Sequence, residues 1–284
     1  MLLSIITINY NDADGLKKTI ESVASQTFRS QIEHIIIDDG STDGSLDVIK
    51  DYETDINYWN HRPNRGIYPT MNEGTQNAKG DYCLFLNSGD YLCHNKVIEN
   101  IFVLLHDVDM VIGETIFTNS GLPSVVPPNI TMKFLYEHSV PHPSTFIKRE
   151  LLIKHPYDTS YCIVSDWKFF VQTLIYDNAT YRLTNERITN YDCNGISSTR
   201  RDLCKMERSK VLEELFPPRV MQDYLQFVKG SGYQDKPYDK FFIKMRDYKY
   251  GHVLYTLDIL IMRFIAIFKK GAKFSKQFPI RCED

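Results

Sequence analysis

A short apolar run ends in two carboxylates in the segment Ile36-Ile37-Asp38-Asp39-Gly40-Ser41-Thr42-Asp43-Gly44. The run begins near Glu33 and is typical of a strand buried on both faces of a parallel sheet. Aspartate, glycine and serine then favour a turn, and Leu46, Val48 and Ile49 have the spacing of a helix. The segment therefore predicts a strand, a polar loop and a helix in succession, the repeating unit of an α/β protein.

Similar strand ends occur on both sides of this segment. Leu2 to Ile8 is an apolar run that leads into Asn9-Tyr10-Asn11-Asp12, and Tyr82 to Leu86 leads into Asn87-Ser88-Gly89-Asp90. Because ligands of open α/β sheets bind beyond the carboxyl ends of the strands, we expect the three loops to converge on one crevice. Other strands are expected near residues 57–60, 110–113, 144–148 and 186–191, and helices near 13–26, 68–77, 96–105 and 166–176.

Length and composition favour one α/β domain with a helical appendage. The chain has 284 residues, of which 43% are hydrophobic and 24% charged, as in ordinary soluble globular proteins. A net charge of −3 gives no general attraction to nucleic acid, so no nucleic-acid partner is expected. We place an α/β domain at residues 1–215, with halves at about 1–115 and 116–215, and a helical extension at 216–284.

The cysteines and the ends of the chain favour a cytoplasmic protein. Six cysteines show neither a C-x-x-C pair nor zinc-site spacing, and the N-terminus lacks the basic region of a signal peptide. Charged residues interrupt the apolar segment His252 to Phe268, so we expect no spanning helix there. Its basic end is typical of a helix at a membrane surface, and the alternative is packing on the domain or in a homodimer. The expected location is the cytoplasm or the inner face of the cytoplasmic membrane.

The strand-end segments resemble those of a known family. Ser4 to Asn11, Ile36 to Gly44 and Phe85 to Asp90 occur in the order and spacing of the family 2 glycosyltransferases. The resemblance reaches about residue 200, and its further segments are residues 64–74, 78–82, 141–143 and 165–167. It implies the GT-A fold, a Rossmann-like α/β fold whose central, mostly parallel sheet is flanked by helices. The resemblance is to bacterial enzymes that add sugars during capsule, lipopolysaccharide or exopolysaccharide assembly.

The resemblance implies a divalent cation, Mg²⁺ or Mn²⁺, bound by Asp90. Such a cation neutralises the diphosphate of a nucleotide-sugar donor as the glycosidic oxygen departs. The family has an Asp-x-Asp cluster, whereas Asn87 and Gly89 stand here where carboxylates are common. Asn87 can contact the ribose or a metal-bound water. His142 is the second candidate metal ligand, and alternatively a surface histidine between two prolines.

Donor contacts are expected from polar residues at or after the strand ends. Asp39 resembles the base-binding carboxylate of the family, whereas Asp38 can equally order the turn. Arg65 can reach a phosphate or remain solvated, and the arginines after Gly195 can close over a diphosphate or cap the next helix. The expected donor-binding residues are Thr7, Asn9, Asp38, Asp39, Arg65, Asn72, Asn87, Ser88, Arg200 and Arg201.

Inverting transfer needs a general base that takes the proton of the acceptor hydroxyl. In the family, an acidic residue at the start of a later helix has this role, and Asp166 stands at the matching place. The alternative is an aspartate that only favours the helix N-terminus. Trp167 is either a platform for a sugar ring or a core residue.

The predicted function is therefore sugar transfer, of the EC 2.4 type, from a nucleotide-diphosphate donor to a glycan or polyprenyl-linked glycan in cell-surface polysaccharide synthesis. A UDP-sugar is favoured, with the donor held by residues 1–115 and the acceptor by residues 116–215. A nucleotidyltransferase is one alternative, but residues 9–15 lack its glycine-rich, basic phosphate loop. A noncatalytic nucleotide-sugar-binding protein of the same fold is the other, suggested by Asn87, Gly89 and by Pro69, which replaces a common acidic residue.

Overall fold

The computed structural model describes residues 2–62, 65–193, 195 and 200–230. The described residues up to Glu214 form one compact unit, and a second unit begins at Leu215. None of the helices in these ranges is long and apolar enough to cross a membrane, and the segment His252 to Phe268 lies outside them. Five cysteines lie within the described ranges and all are free, namely Cys83, Cys93, Cys162, Cys193 and Cys204.

Strands and helices alternate through the first unit. The strands are β1 (Leu3–Asn9), β2 (Ile32–Asp38), β3 (Tyr58–His61), β4 (Tyr82–Phe85), β5 (Tyr91–Leu92), β6 (Met110–Phe117), β7 (Thr145–Lys148) and β8 (Tyr181–Tyr191). The helices are α1 (Ala13–Ala24), α2 (Ser45–Asp51), α3 (Ile67–Asn77), α4 (Val97–Phe102), α5 (Met132–Glu137), α6 (Arg149–Lys154), α7 (Ser165–Val171) and α8 (Arg201–Leu215). In the second unit, α9 spans Pro218–Gly230.

The eight strands form one mixed sheet in the order β3-β2-β1-β4-β7-β6-β8-β5. The neighbours β3, β2, β1 and β4 are all parallel. Strand β7 is antiparallel to both β4 and β6, whereas β6 and β8 are parallel to each other. Because β1 lies between β2 and β4, the three acidic or polar loops leave the sheet side by side, as the sequence predicts.

Strand β2 is buried along its whole length although it contains three polar residues, Glu33, His34 and Asp38. Glu33 accepts the Ser4 hydroxyl at 2.6 Å and the Lys79 N–H at 2.8 Å, both at Oε2. His34 Nε2 lies 3.0 Å from Thr7 Oγ1. Burial lowers the pKa of His34 to about 3, so the imidazole is neutral. Partners on neighbouring segments thus make this polar strand compatible with the core.

Helix α1 buries an apolar face against the sheet. Leu16 and Ile20 form a cluster with Ile36 of β2 and Ile49 of α2, and all four side chains are inaccessible to solvent. Full burial of each such side chain contributes about 1.5–3 kcal/mol. The helix starts at Asp12, whose carboxylate accepts the Gly15 N–H at 3.0 Å, a normal N-cap. The same residue that ends the first loop therefore fixes the next helix.

Two strands are longer than the sequence predicts. Strand β6 continues past Gly113 to Phe117, and β8 begins at Tyr181 and not near Glu186. The two pair in parallel with register shifts around Glu114, and the middle of β8 is only partly buried. A half-exposed strand of polar residues has no apolar run to reveal it. The helix expected at 166–176 is α7 followed by a π-helical turn, Gln172–Tyr176.

Candidate functional site

Asp38 is the centre of a buried hydrogen-bond network at the ends of β1 and β2. Its Oδ2 accepts the Asn9 amide and the Ser41 hydroxyl, each at 2.6 Å. Its Oδ1 accepts the backbone N–H of Ser41 at 2.9 Å and lies 2.7 Å from His61 Nδ1. Burial acts to raise the pKa of Asp38, but hydrogen bonds from Ser41, Asn9 and His61 hold it below its usual value. Asp38 is therefore an ionised residue that orders the turn.

The network extends to the loop after β4. Ser88 donates its hydroxyl to Asn9 Oδ1 at 2.7 Å, so this side chain ties the third loop to the first. Thr7, which pairs with His34, is fully buried, and Asn9 is 3% exposed. The structure thus brings four expected donor-binding residues together, but gives each a partner inside the chain. A donor could therefore contact these residues only through atoms that are left over from their hydrogen bonds to one another.

Asp39 holds the backbone at the start of α3. Its Oδ1 accepts the Arg65 N–H at 2.8 Å, and its Oδ2 accepts the Gly66 N–H at 2.9 Å. Gly66 has φ of +94°, in the left-handed region that favours glycine. The carboxylate is 7% exposed and can accept more than two hydrogen bonds. Asp39 therefore positions the loop and retains acceptor capacity for a ligand.

The Arg65 side chain, just before α3, is directed towards Glu73 within that helix. Its guanidinium forms an ion pair with Glu73 Oε2, while Asn60 Nδ2 donates to Oε1 at 2.6 Å and Arg62 Nε lies 3.6 Å away. The Arg65 side chain remains 39% exposed. Asn72, in contrast, uses both amide atoms on the backbone of Tyr157, at 2.8 and 2.9 Å.

Asp90 is a buried carboxylate in an acidic environment. It is 4% exposed, and its Oδ1 accepts the Asp192 N–H at 3.0 Å. Burial raises the pKa of Asp90 to about 8, and the negative charges of Asp192 and Asp12 act in the same direction against the hydrogen bond. Near neutral pH the carboxyl therefore carries a proton that a bound cation would displace.

Gly89 places this loop between two further carboxylates. A Cβ at Gly89 would lie 3.4 Å from Asp12 Oδ2 and 3.5 Å from Asp192 Oδ2. The side-chain oxygen of Asn87 is buried without a hydrogen-bond partner. Within the described ranges, however, no three His, Cys, Asp or Glu side chains are arranged to hold a metal ion together. The loop thus lies beside the negative charges of Asp12 and Asp192 but supplies few ligands itself.

Asp166, the expected general base, forms a hydrogen bond with a residue of α3. It lies in the first turn of α7, and its Oδ1 accepts the Tyr68 hydroxyl at 2.9 Å. Trp167 is 3% exposed and donates its indole N–H to the Leu135 carbonyl at 2.7 Å, so it is a core residue and not a sugar platform. Its packing anchors the start of α7.

His142 lies among aromatic rings. Its ring stacks on Phe85 with centroids 5.0 Å apart, and Nε2 lies 2.8 Å from the Tyr157 hydroxyl. Burial lowers the pKa of His142, which Asp166 partly opposes, so the imidazole is neutral. One ring nitrogen is thus already paired. Arg200 and Arg201 are exposed at the start of α8, while Ser197 to Thr199 lie outside the described residues.

Three residues of this site were not predicted as functional. Asp12 lies in the loop after β1 and Asp192 directly follows β8, so both stand in strand-end loops like those that identified Asp39 and Asp90. Tyr68 stands inside a segment that carries the family resemblance, yet no local pattern indicates a partner 98 residues away.

A sequence model of the family described as Glycosyl transferase family 2 matches residues 4–170, more than half of the 284 residues. The chain belongs to glycosyltransferase family 2. The enzyme class and family expected from the strand-end segments are thereby confirmed.

Relatives and solved structures agree with this family. A Mycobacterium tuberculosis (strain ATCC 25618 / H37Rv) protein, an "uncharacterized glycosyltransferase", is 29% identical to this glycosyltransferase over 257 residues, 86% of this chain and 97% of the relative. S. aureus TarS 1-349 in complex with UDP-GlcNAc has a TM-score of 0.57 at 21% identity; the match covers 68% of this chain and 58% of that one. The mannosyltransferase PcManGT from Pyrobaculum calidifontis, in complex with GDP-Man and Mn²⁺, has a TM-score of 0.58 at 14% identity, covering 94% and 87%. The GT-A fold is confirmed.

Proposed function

We propose that this family 2 glycosyltransferase transfers a sugar, with inversion, from a nucleotide-diphosphate donor to a hydroxyl of a glycan or lipid-linked glycan in cell-surface polysaccharide synthesis. The observation that carries the proposal is the start of α3. Gly66 donates to the strand-end carboxylate of Asp39, and two residues later Tyr68 donates to Asp166. The same short segment, residues 66–68, therefore binds one carboxylate on the donor side and one on the acceptor side.

A UDP-sugar is the favoured donor. Asp39 lies at the base-binding position of the family and retains acceptor capacity, which suits a uracil N–H or a ribose hydroxyl. TarS 1-349 is a relative in fold that holds UDP-GlcNAc. The donor side is assigned to about residues 1–115 and the acceptor side to 116–215, and the exposed Arg200 and Arg201 are proposed to bind a diphosphate.

The residues around Asp90 fit a hard divalent cation that arrives with the donor. The protein would supply the Asp90 carboxylate, with the unpaired oxygen of Asn87 close by in sequence and the negative field of Asp12 and Asp192 around it. Mg²⁺ keeps waters and substrate phosphates as ligands and needs few protein carboxylates. Such a cation would stabilise the charge on the departing diphosphate.

Asp166 acts as the general base. As the acceptor oxygen attacks the anomeric carbon, its proton moves to an Asp166 carboxylate oxygen, and the bond from that carbon to the phosphate oxygen breaks on the opposite face. The new glycosidic bond and the nucleoside diphosphate are the products. Asp166 is part-exposed at a helix end, so an acceptor can reach it.

Binding and chemistry are tested separately with Asp90→Ala, Asp166→Asn and the control Asp51→Ala, which changes an exposed aspartate of α2. Melting temperatures are measured with UDP-sugars and GDP-sugars, with and without Mn²⁺, beside sugar transfer. The wild type is expected to be stabilised by a UDP-sugar with Mn²⁺. Asp90→Ala should lose stabilisation and transfer, whereas Asp166→Asn should keep the stabilisation and lose the transfer.

Two outcomes would overturn the proposal. Unchanged transfer in both site variants would remove the assigned roles. Metal-dependent UDP binding by the wild type, without transfer or hydrolysis on a panel of acceptors, would favour the noncatalytic alternative. That alternative rests on Asn87, Gly89 and Pro69, which stand at positions where acidic residues are common in the family.

A further inference from the structure

Tyr68 is a buried residue whose hydroxyl has one charged partner. It is 4% exposed in the first turn of α3, and its hydroxyl donates to Asp166 Oδ1 at 2.9 Å. Hydrogen bonds to a charged group are about twice as strong as neutral ones. The contact joins α3, on the donor side, to α7, on the acceptor side.

We propose that Tyr68 is a positioning residue for the general base, which holds Asp166 Oδ1 so that Oδ2 faces the acceptor hydroxyl. This inference rests on the proposed function, because it assigns Asp166 as the base. It goes beyond that assignment by giving a role to a residue outside the expected donor, metal and catalytic sets. Without Tyr68, the carboxylate could rotate about its side-chain bonds and the proton acceptor would be less well placed.

The ring of Tyr68 is itself held in place. It packs against the Tyr157 ring with centroids 5.6 Å apart, and Tyr157 is fixed by Asn72 through its backbone and by His142 through its hydroxyl. Burial, and then the negative charge of Asp166, keep the pKa of Tyr68 well above its usual value. The hydroxyl is therefore a hydrogen-bond donor at every working pH.

Other titratable groups also sense the charge of Asp166. On α8, these are the Cys204 thiol, whose pKa burial raises, and the Arg208 guanidinium, which lies 4.4 Å over the Trp167 ring. In the aromatic cluster, the groups that sense this charge are the neutral His142 and Tyr157, whose pKa is raised by burial and then by Asp166. Arg208 acts on Asp166 only through a long-range positive charge, whereas Tyr68 forms the direct hydrogen bond. Loss of the Tyr68 hydroxyl should therefore affect the position of the Asp166 carboxylate more than any change at Arg208.

The test uses Tyr68→Phe, which removes the hydroxyl and keeps the ring. Tyr161→Phe is the matched control, because Tyr161 is also 4% exposed and donates to a carboxylate, Glu214 Oε2, at 2.9 Å. We expect Tyr68→Phe to lower kcat by about 10-fold to 100-fold, as for loss of a hydrogen bond to a charged group. Donor KM and stabilisation by donor with Mn²⁺ should stay unchanged, because Asp39 is bound through backbone N–H groups.

The values of kcat and donor KM together separate positioning from a structural role. A structural disturbance of α3 would raise the donor KM or weaken the stabilisation by donor, because Asp39 binds the backbone at the start of the same helix. Tyr161→Phe should leave kcat unchanged. A raised donor KM that accounts for the lost activity, or an equal fall in kcat in both variants, would overturn the inference.

Combination with Asp166→Asn distinguishes the two proposals. If Asp166→Asn leaves a measurable residual rate of transfer, the double variant Tyr68→Phe/Asp166→Asn should be no slower than Asp166→Asn alone, since the two residues act as one unit. If Asp166→Asn is inactive but Tyr68→Phe is normal, only the positioning role fails. If Asp166→Asn is fully active, the assignment of the base fails first.

Discussion

The side chain of Asn72 forms two hydrogen bonds with the backbone of Tyr157, donating to its carbonyl at 2.8 Å and accepting its N–H at 2.9 Å. A single amide thus fixes a loop 85 residues away against α3. Since Tyr157 packs on Tyr68, this pair sets the geometry behind the proposed base.

Asn72→Ala should destabilise the protein by about 1–3 kcal/mol, because two part-buried backbone groups lose their partner. Urea unfolding followed by circular dichroism measures the effect. Gln76→Ala is the control, since Gln76 is exposed on the same helix. Equal losses in the two variants would show that the pairing contributes nothing specific.

Asp38→Asn should remove a stabilisation that depends on ionisation. In the folded protein the pKa of Asp38 lies below its usual value, despite burial, because Ser41, Asn9 and His61 donate to the carboxylate. An unfolded aspartate has a pKa of about 3.9, so the stabilisation is complete above about pH 4 and is lost as the pH falls through the folded value.

We therefore expect Asp38→Asn to be less stable than the wild type by about 2 kcal/mol or more at pH 7, with a difference that shrinks below about pH 4. Chemical denaturation at pH 7, 5, 4 and 3 measures it. Asp51→Asn should show a small difference at every pH. A penalty for Asp38→Asn that stays constant down to pH 3 would contradict the prediction.

Asp90 should show the opposite dependence on pH in metal-free protein. Burial raises the folded pKa to about 8, whereas the unfolded group ionises near about 3.9. Between these values the folded state binds more protons, so the contribution of Asp90 to stability falls as the pH rises and is lost above about pH 8.

Asp90→Asn cannot ionise and should gain stability relative to the wild type from pH 5 to pH 9. Melting temperatures in EDTA at these two pH values measure the gain, with Asp51→Asn as the variant that should show none. A relative stability that does not change with pH would show that Asp90 is ionised at an ordinary pH.

Lys168 should contribute to the stability of α7. Its ammonium lies 2.7 Å from Asp158 Oδ2 and 2.6 Å from Glu214 Oε1, and its side chain is 6% exposed. Removing the cation leaves two carboxylates close together, 33% and 48% exposed, so Lys168→Met should cost about 1.5–3 kcal/mol through the lost charged hydrogen bonds. Lys154→Met removes an ion pair to Asp177 whose lysine is 61% exposed, and should cost about 1 kcal/mol at most. Thermal unfolding compares them, and similar losses would contradict the prediction.

The strand ends of the first half could be predicted because each combines a buried apolar run with a polar loop. Strands β1, β2 and β4 end as expected, which places Asn9, Asp38 and Asp90 at one edge of the sheet. The second half was harder to predict. Strand β8 carries polar residues on a part-exposed surface, so its first half gave no periodic signal.

The contacts that define the site could not be predicted, because they join residues far apart in sequence. The pairs Tyr68–Asp166 and Asp90–Asp192 span 98 and 102 residues. Residue type alone indicated Asn9 and Asp38 as ligand contacts, whereas the folded chain uses their polar atoms on each other. A polar residue at a strand end is equally suited to either use until the neighbouring loop is known.

At Gly89 the backbone conformation itself disfavours an aspartate, so the absence of a carboxylate there reflects the path of the backbone as well as the choice of side chain. The φ of +90° at Gly89 strains any other residue, and a side chain there would point at Asp12 and Asp192. An Asp-x-Asp cluster at residues 87–89 would need both Asn87→Asp and Gly89→Asp, and the change at Gly89 would add both strain and charge repulsion in one step. A lineage that carries this turn would have to reshape the loop before it could regain the ligand, so the carboxylate-poor form is a state that single substitutions do not readily reverse.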